Sequence, residues 1–197
     1  METASASRDM LRDMADKTMV RLTDAASDRF GEAAREAAAE VAPMPAWPGW
    51  RDDDFVEVLL LRTLPWARTM IAAFGHQDIA ALILETLSQP MRAFGVRAAA
   101  ASDGTMPDQV AHALAPMPPE ALTIENRDAA ADRVAFQVTR CRYAEILQSL
   151  GVAELGPMLI CHHDFAIAEG LGLRLTRPTT LMRDRLPCEF RYTRPGP

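Results

Sequence analysis

The sequence predicts an α+β chain, helical through its N-terminal two thirds and closing on a small antiparallel sheet with helices packed on it. Three observations predict this. Apolar residues recur at helical spacing from Leu11 to about residue 115. From Leu122 the pattern changes to strand-like alternation, clearest in RVAFQVTR, LRLTR and CEFRYTR. A chain of 197 residues that is 49% apolar can fill one ordinary core. The organisation expected is a helical arm over residues 1–42 and a single α+β domain over 51–197, helical over 51–115 and mixed over 122–194.

In chain order, residues 1–6 read as a frayed terminus, followed by one amphipathic helix over 7–41. Its apolar stripe is Leu11, Met14, Thr18, Leu22, Ala25, Phe30, Ala33, Ala37 and Val41. This arm packs on its own body or forms half of a coiled homodimer. The run APMPAWPGW (42–50) stops the helix and places two tryptophans where they can clamp the body. Residues 51–54 carry acidic groups suited to a helix start. The segment DFVEVLLLRTLPWARTMIAAFG suggests two helical pieces meeting near Pro65, and a further helix over 77–94 is kinked or ended by Pro90. A short helix follows at 108–114, with His112 on it as a packing or surface residue.

Beyond Leu122, LTIEN reads as a strand, NRDAAAD as a turn and RVAFQVTR as a strand. Val134, Phe136 and Val138 share one face of that strand; Ala135, Gln137, Thr139 and Cys141 share the other. A helix over 143–150 ends at Gly151, and another spans 155–171. Strands at 173–177 and 188–194 complete the sheet.

Composition excludes several function classes. Net charge is −6, with 20 arginines, one lysine (Lys17) and no basic cluster, which argues against a nucleic-acid groove. The sequence shows neither a secretory signal nor an apolar run of the roughly 18 residues needed to cross a bilayer, so a soluble, cytoplasmic protein acting on a small molecule is expected. Three cysteines, spaced by 20 and 27 with no CxxC pair, read as reduced thiols.

Candidate chemistry gathers in the last third, which holds all three cysteines and two of the four histidines. On a helix over 155–171, Cys161 shares a face with Asp164 and Phe165; His162 lies about a quarter turn away and His163 roughly opposite. A thiol beside a carboxylate and an imidazole can serve as a nucleophile with a base, because attack requires the thiolate. The alternative is a buried cysteine acting as a small apolar side chain. Cys188 shares a strand face with Phe190 and Tyr192. Were the strands to form one sheet beneath that helix, Cys141, Cys161 and Cys188 would converge with His162 or Asp164, an arrangement that also admits a metal held by sulfur and imidazole. No cofactor is expected, since the paired ligand spacings typical of metal sites are absent.

The run CRYAEILQSLGVAELGPMLICHHDF followed by RLTRPTTLMRDRLPCEFRY resembles the C-terminal signature of the L-2-amino-thiazoline-4-carboxylic acid hydrolase-like family. Cys141, Cys161, Asp164, Thr180 and Cys188 with Phe190 fall in the matching places, over residues 133–194. The sequence departs from the pattern at Arg183-Asp184-Arg185, where a glycine is expected, and at Glu189, where the family has aspartate. A more distant likeness is to 4-vinyl reductase-type small-molecule-binding domains.

The resemblance implies hydrolysis of a C–N or C=N bond in a small cyclic amidine or thiazoline, such as opening 2-aminothiazoline-4-carboxylate to N-carbamoyl-cysteine. Cys161, Asp164 and His162 are then the catalytic candidates, with Cys141, Cys188, Thr180 and Tyr192 lining the substrate. A substrate carboxylate would want an arginine fork, for which Arg140, Arg142, Arg177 and Arg183 are nearest, with Arg142 and Arg183 preferred. The alternative is a non-catalytic module that binds a small ligand or a metal.

Overall fold

The computed structural model describes residues 2–196, with side chains from Arg8 onward. The chain is α+β, and it divides into two compact units, 1–86 and 87–197, the division falling inside one helix.

The first unit holds α1 (Glu2–Phe30), α2 (Glu32–Ala39), α3 (Phe55–Phe74) and the first turns of α4 (His76–Ala101). The helix expected over 7–41 is therefore two helices, and the start expected to fray is helical from Glu2; residue 1 lies outside the described residues. Gly31, at φ +72 in the left-handed region, makes the break. The buried stripe of α1 also differs from the expected one. Ala15, Leu22 and Ala26 are fully buried and α1 packs on α3, whereas Met14 is 44% exposed. Alanine at two of these three positions lets the helix backbones approach closely.

The tryptophan-rich linker clamps as expected, on a buried carboxylate. Trp47 Nε1 and the Arg51 N–H both donate to Glu57 Oε2, at 3.1 and 3.0 Å. Asp54 caps α3 by accepting from the Val56 and Glu57 N–H groups. Contrary to expectation, α3 runs through Pro65 as one helix, and α4 does not end at Pro90. A proline inside a helix costs about 3 kcal/mol, and each large apolar side chain buried returns about 1.5–3 kcal/mol. Leu64, Trp66, Ala67 and Met70 are buried around Pro65 and hold the axis together.

The second unit contains the rest of α4, α5 (Met106–Leu114), α6 (Arg142–Ser149), α7 (His163–Gly170) and strands β1 (Leu122–Ala130), β2 (Arg133–Cys141), β3 (Arg174–Thr176) and β4 (Cys188–Thr193). The strands form one antiparallel sheet in the order β1-β2-β4-β3. Its inner face carries Val134, Phe136, Val138, Leu175, Phe190 and Tyr192, packed against α5 and α7 residues such as Val110 and Ala168. Where α4 crosses α7 the backbones touch: a Cβ on Gly170 would lie 2.0 Å from the Arg92 carbonyl oxygen.

Two bulges change what alternation predicted. The turn expected at 126–132 is strand for most of its length, because Asn126 at φ +51 absorbs an extra residue and its amide donates to Gln137 Oε1 at 2.7 Å. In β2, Thr123 pairs with Arg140 and Ile124 with Val138, leaving Thr139 as the extra residue. That bulge reverses the alternation, so Cys141 packs against the inner cluster instead of sharing the outer face with Ala135 and Gln137. The helix expected over 155–171 is three pieces: a 3-10 turn (Ala153–Leu155), a π turn (Pro157–Cys161) and α7. Pro157 lacks an N–H and begins a new segment, and His162 N–H bonds the Pro157 carbonyl five residues back, at 2.9 Å.

Candidate functional site

The sulfur cluster is built by the 177–187 loop between β3 and β4, which its own hydrogen bonds hold tightly. Thr179 Oγ1 donates to the Pro187 carbonyl at 2.6 Å, and Asp184 Oδ2 accepts the Thr180 N–H at 3.0 Å. The Met182 N–H donates to Thr180 Oγ1 at 3.2 Å and the Leu181 N–H to Cys188 Sγ at 3.3 Å. This places the buried Thr180 hydroxyl between two thiols, 3.5 Å from Cys188 Sγ and 4.0 Å from Cys161 Sγ. Its oxygen accepts from the Met182 N–H and from the Cys188 thiol, which leaves its proton for Cys161 Sγ.

Arg177, at the foot of the same loop, has a side chain only 4% exposed. Nη1 donates to Asp164 and Nη2 to the Cys161 carbonyl at 2.8 Å. The guanidinium lies between two rings, 5.2 Å from the centroid of Phe165 and 5.3 Å from that of Phe190. Such stacking suits arginine because its cation is planar and weakly hydrated. His162 meets Phe165 edge-on, with centroids 6.3 Å apart.

Burial sets the proton affinities. It pushes the Cys161 thiol up to about 12, with the Asp164 charge adding to the rise and Arg177 opposing it. It pushes Cys141 up to about 11, against nearby backbone donors. At neutral pH both are thiols. Burial also raises the Asp164 carboxyl to about 6 while Arg177 pulls it back, so it is ionised at neutral pH but only narrowly. His162 is lowered by partial burial and by the Arg177 and Arg183 charges. His163 is lowered to about 4 by burial; it faces the interior, and among the described residues Nε2 has no hydrogen-bond partner. Tyr192 is raised by burial and stacks on Phe136 and Phe190 at 6.2 and 6.3 Å.

The structure therefore brings Cys161, Thr180 and Cys188 together, with Asp164 joined to them through Arg177, and inserts Cys141 and Tyr192 into the adjoining core. His162 lies at the outer rim. Arg183 is exposed and bonded to Asp184 at 2.8 Å, holding the loop. Arg142 opens α6, with its N–H on the Ala121 carbonyl at 2.9 Å. Arg140 is exposed and pairs with Glu145. Of the four arginines weighed from sequence, Arg177 is the one at the centre. The available signal was aromatic: Phe165 is four residues from Cys161 and Phe190 two from Cys188, so each thiol brings a ring to the same cation. Among the described residues no three His, Cys, Asp or Glu side chains are grouped as metal ligands would be.

Fold and site together define an α+β protein that sets a cysteine–threonine cluster against an arginine–aspartate pair at the C-terminal sheet. Residues 56–192 match the model of the L-2-amino-thiazoline-4-carboxylic acid hydrolase family, and the chain belongs to that family. The match extends well upstream of residue 133, where the sequence signature begins. No curated protein matches. Among solved structures, a mutant H-NOX protein from K. algicida, Fe(II) and unliganded, is 11% identical over 91% of this chain and 95% of that one, with a TM-score of 0.41. A likeness at that level supports no conclusion about fold or ligand.

Proposed function

We propose that this protein hydrolyses a C–N or C=N bond of a small cyclic amidine or thiazoline, with Asp164 as the proton acceptor. Cys161, Thr180 and Cys188 line the place where the ring binds. The observation carrying this reading is the Asp164 carboxylate, raised to about 6 beside the thiol cluster in a chain of this family. A base works best when its pKa lies near the operating pH.

For a 2-aminothiazoline ring the step is as follows. Water oxygen bonds to the carbon between nitrogen and sulfur while Asp164 takes its proton. The electron pair of the ring C=N bond moves onto nitrogen, which takes the remaining proton of the added oxygen. As that oxygen becomes the carbonyl, the ring C–S bond breaks and the departing sulfur takes up the proton held by Asp164, leaving an N-carbamoyl thiol. His162, lowered in pKa and at the rim, is a second proton carrier within the same reading. Attack by Cys161 in place of water requires ionising a thiol at about 12, some five pH units above neutrality. A preformed Cys161 thiolate is therefore disfavoured at neutral pH, and the reading taken is water activated by Asp164 as general base.

The test is to mix the purified protein with 2-aminothiazoline-4-carboxylate and related cyclic amidines and to titrate released thiol. Asp164→Asn is expected to lose 100-fold or more in kcat, and Cys161→Ser much less, with no covalent adduct by intact mass. An adduct on Cys161 would replace water by the thiol. Ligand binding without thiol release by the parent protein would move the reading to a non-catalytic binding module.

A further inference from the structure

We propose that Arg177 is the positioning residue of this site, one buried guanidinium fixing both the Asp164 carboxylate and the backbone turn that carries Cys161. The inference rests on the reading that Asp164 and Cys161 belong to the reacting centre, and it adds how they are held there.

The backbone shows why something must hold them. The helical partner of the Cys161 carbonyl would ordinarily be the Phe165 N–H, but that N–H donates to the His162 carbonyl at 3.2 Å. The Cys161 carbonyl instead accepts Arg177 Nη2 at 2.8 Å. An extra residue in a helix displaces one carbonyl from the regular ladder, and a displaced carbonyl away from water needs another donor. Arg177 supplies it from 16 residues away, joining the π turn to the 177–187 loop.

The same guanidinium bonds Asp164, the third residue after Cys161. Its orientation is fixed in turn by Phe165 and Phe190, one from α7 and one from β4. A single planar fork thus sets the position of the carboxylate relative to Cys161 and, because Phe190 follows Cys188 by two residues, relative to Cys188. Lysine carries the charge but not the geometry: it has one nitrogen, and no plane to seat between two rings.

The test compares Arg177→Lys and Arg177→Met with the full-length parent chain, without substrate. It uses amide hydrogen exchange over residues 157–165 and carboxyl-carbon NMR titration of Asp164. The groups whose charges act on or respond to Asp164 are Arg177, Cys161, Cys141 and Tyr192, from the loop, the π turn, β2 and β4. Both variants are expected to speed exchange in 157–165 about tenfold, the effect of losing one buried hydrogen bond. Protection in β2 and β4 stays at the parent level. Asp164 titrates above its parent value in the methionine variant and near it in the lysine variant, because only the former removes the positive charge. Where turnover is measurable, kcat falls in both with little change in KM.

Parent-like exchange over 157–165 together with parent-like Asp164 titration in a folded methionine variant overturns the proposal. If that variant does not fold, parent-like exchange in the lysine variant does so alone. Since neither readout uses substrate, an absence of hydrolysis would count against the reaction without touching the role of Arg177.

Discussion

Replacing Asp164 by asparagine leaves the buried Arg177 cation without its counter-charge, and the stability difference between variant and parent should depend on pH in a defined way. The carboxyl sits at about 6 in the fold against 3.8 as its ordinary value, because burial disfavours its charge. A carboxyl whose pKa is raised by folding binds more protons in the native than in the unfolded state. Its contribution to stability is therefore fully present below about 3.8 and is lost as pH rises through about 6. With the side chain about a third exposed and screened by solvent, the full loss is on the order of 1–3 kcal/mol, and about half has occurred by pH 5. Asparagine has the same shape and no charge to lose. The stability gap, variant minus parent, should accordingly rise by about 1 kcal/mol between pH 5 and pH 7.5. Taking the gap cancels contributions common to both chains, including that of His163. The assay is urea unfolding followed by the near-ultraviolet signal of Tyr143 and Tyr192, both in the second unit with Asp164. Tryptophan emission would follow the wrong unit, since Trp47, Trp50 and Trp66 all lie in the first. A gap that stays constant with pH, or falls as pH rises, would refute the account of Asp164 as a carboxylate held ionised against burial.

Other outcomes follow from single residues. Gly170→Ala puts a Cβ 2.0 Å from the Arg92 carbonyl oxygen, where backbone must move, and should cost the second unit about 3 kcal/mol by the same tyrosine signal. Glu57→Leu removes the carboxylate that accepts from the Trp47 indole and Arg51 backbone N–H groups; it should cost the first unit about 3 kcal/mol, read by tryptophan emission. His163, lowered from 6.5 to about 4 by burial, is neutral in the fold and binds its proton more readily once unfolded. Its contribution is present above about 6.5 and falls by about 3 kcal/mol as pH drops toward 4, so His163→Leu should flatten the acid side of the stability profile.

Much of this molecule is legible in its residues alone. The change of period at Leu122 marks where helices give way to sheet, and the cysteine, aspartate and threonine spacings carry the family resemblance. Local chemistry sufficed there: alternation and capping are properties of neighbours along the chain. Gly151 ends α6 as its position suggested, at φ +68. The clamp of Trp47 was legible as a linker rich in proline and tryptophan, although its acceptor, Glu57, was not.

Tertiary structure decided what depends on partners distant in sequence. Pro65 looks like the junction of two helices and Pro90 like a kink or an end because each removes a hydrogen bond locally, yet around Pro65 the burial of neighbouring side chains outweighs that loss. The face taken by Cys141 was reversed by one extra residue, Thr139, whose presence as a bulge is fixed only by the register of β1 against β2. Arg177 was one arginine among four, with nothing in its immediate neighbours to distinguish it. Its role follows from an orphaned carbonyl and a carboxylate in one segment and two rings from different elements, all reaching the same buried point. A charge is worth burying only where such partners already converge, and that convergence is a property of the folded chain.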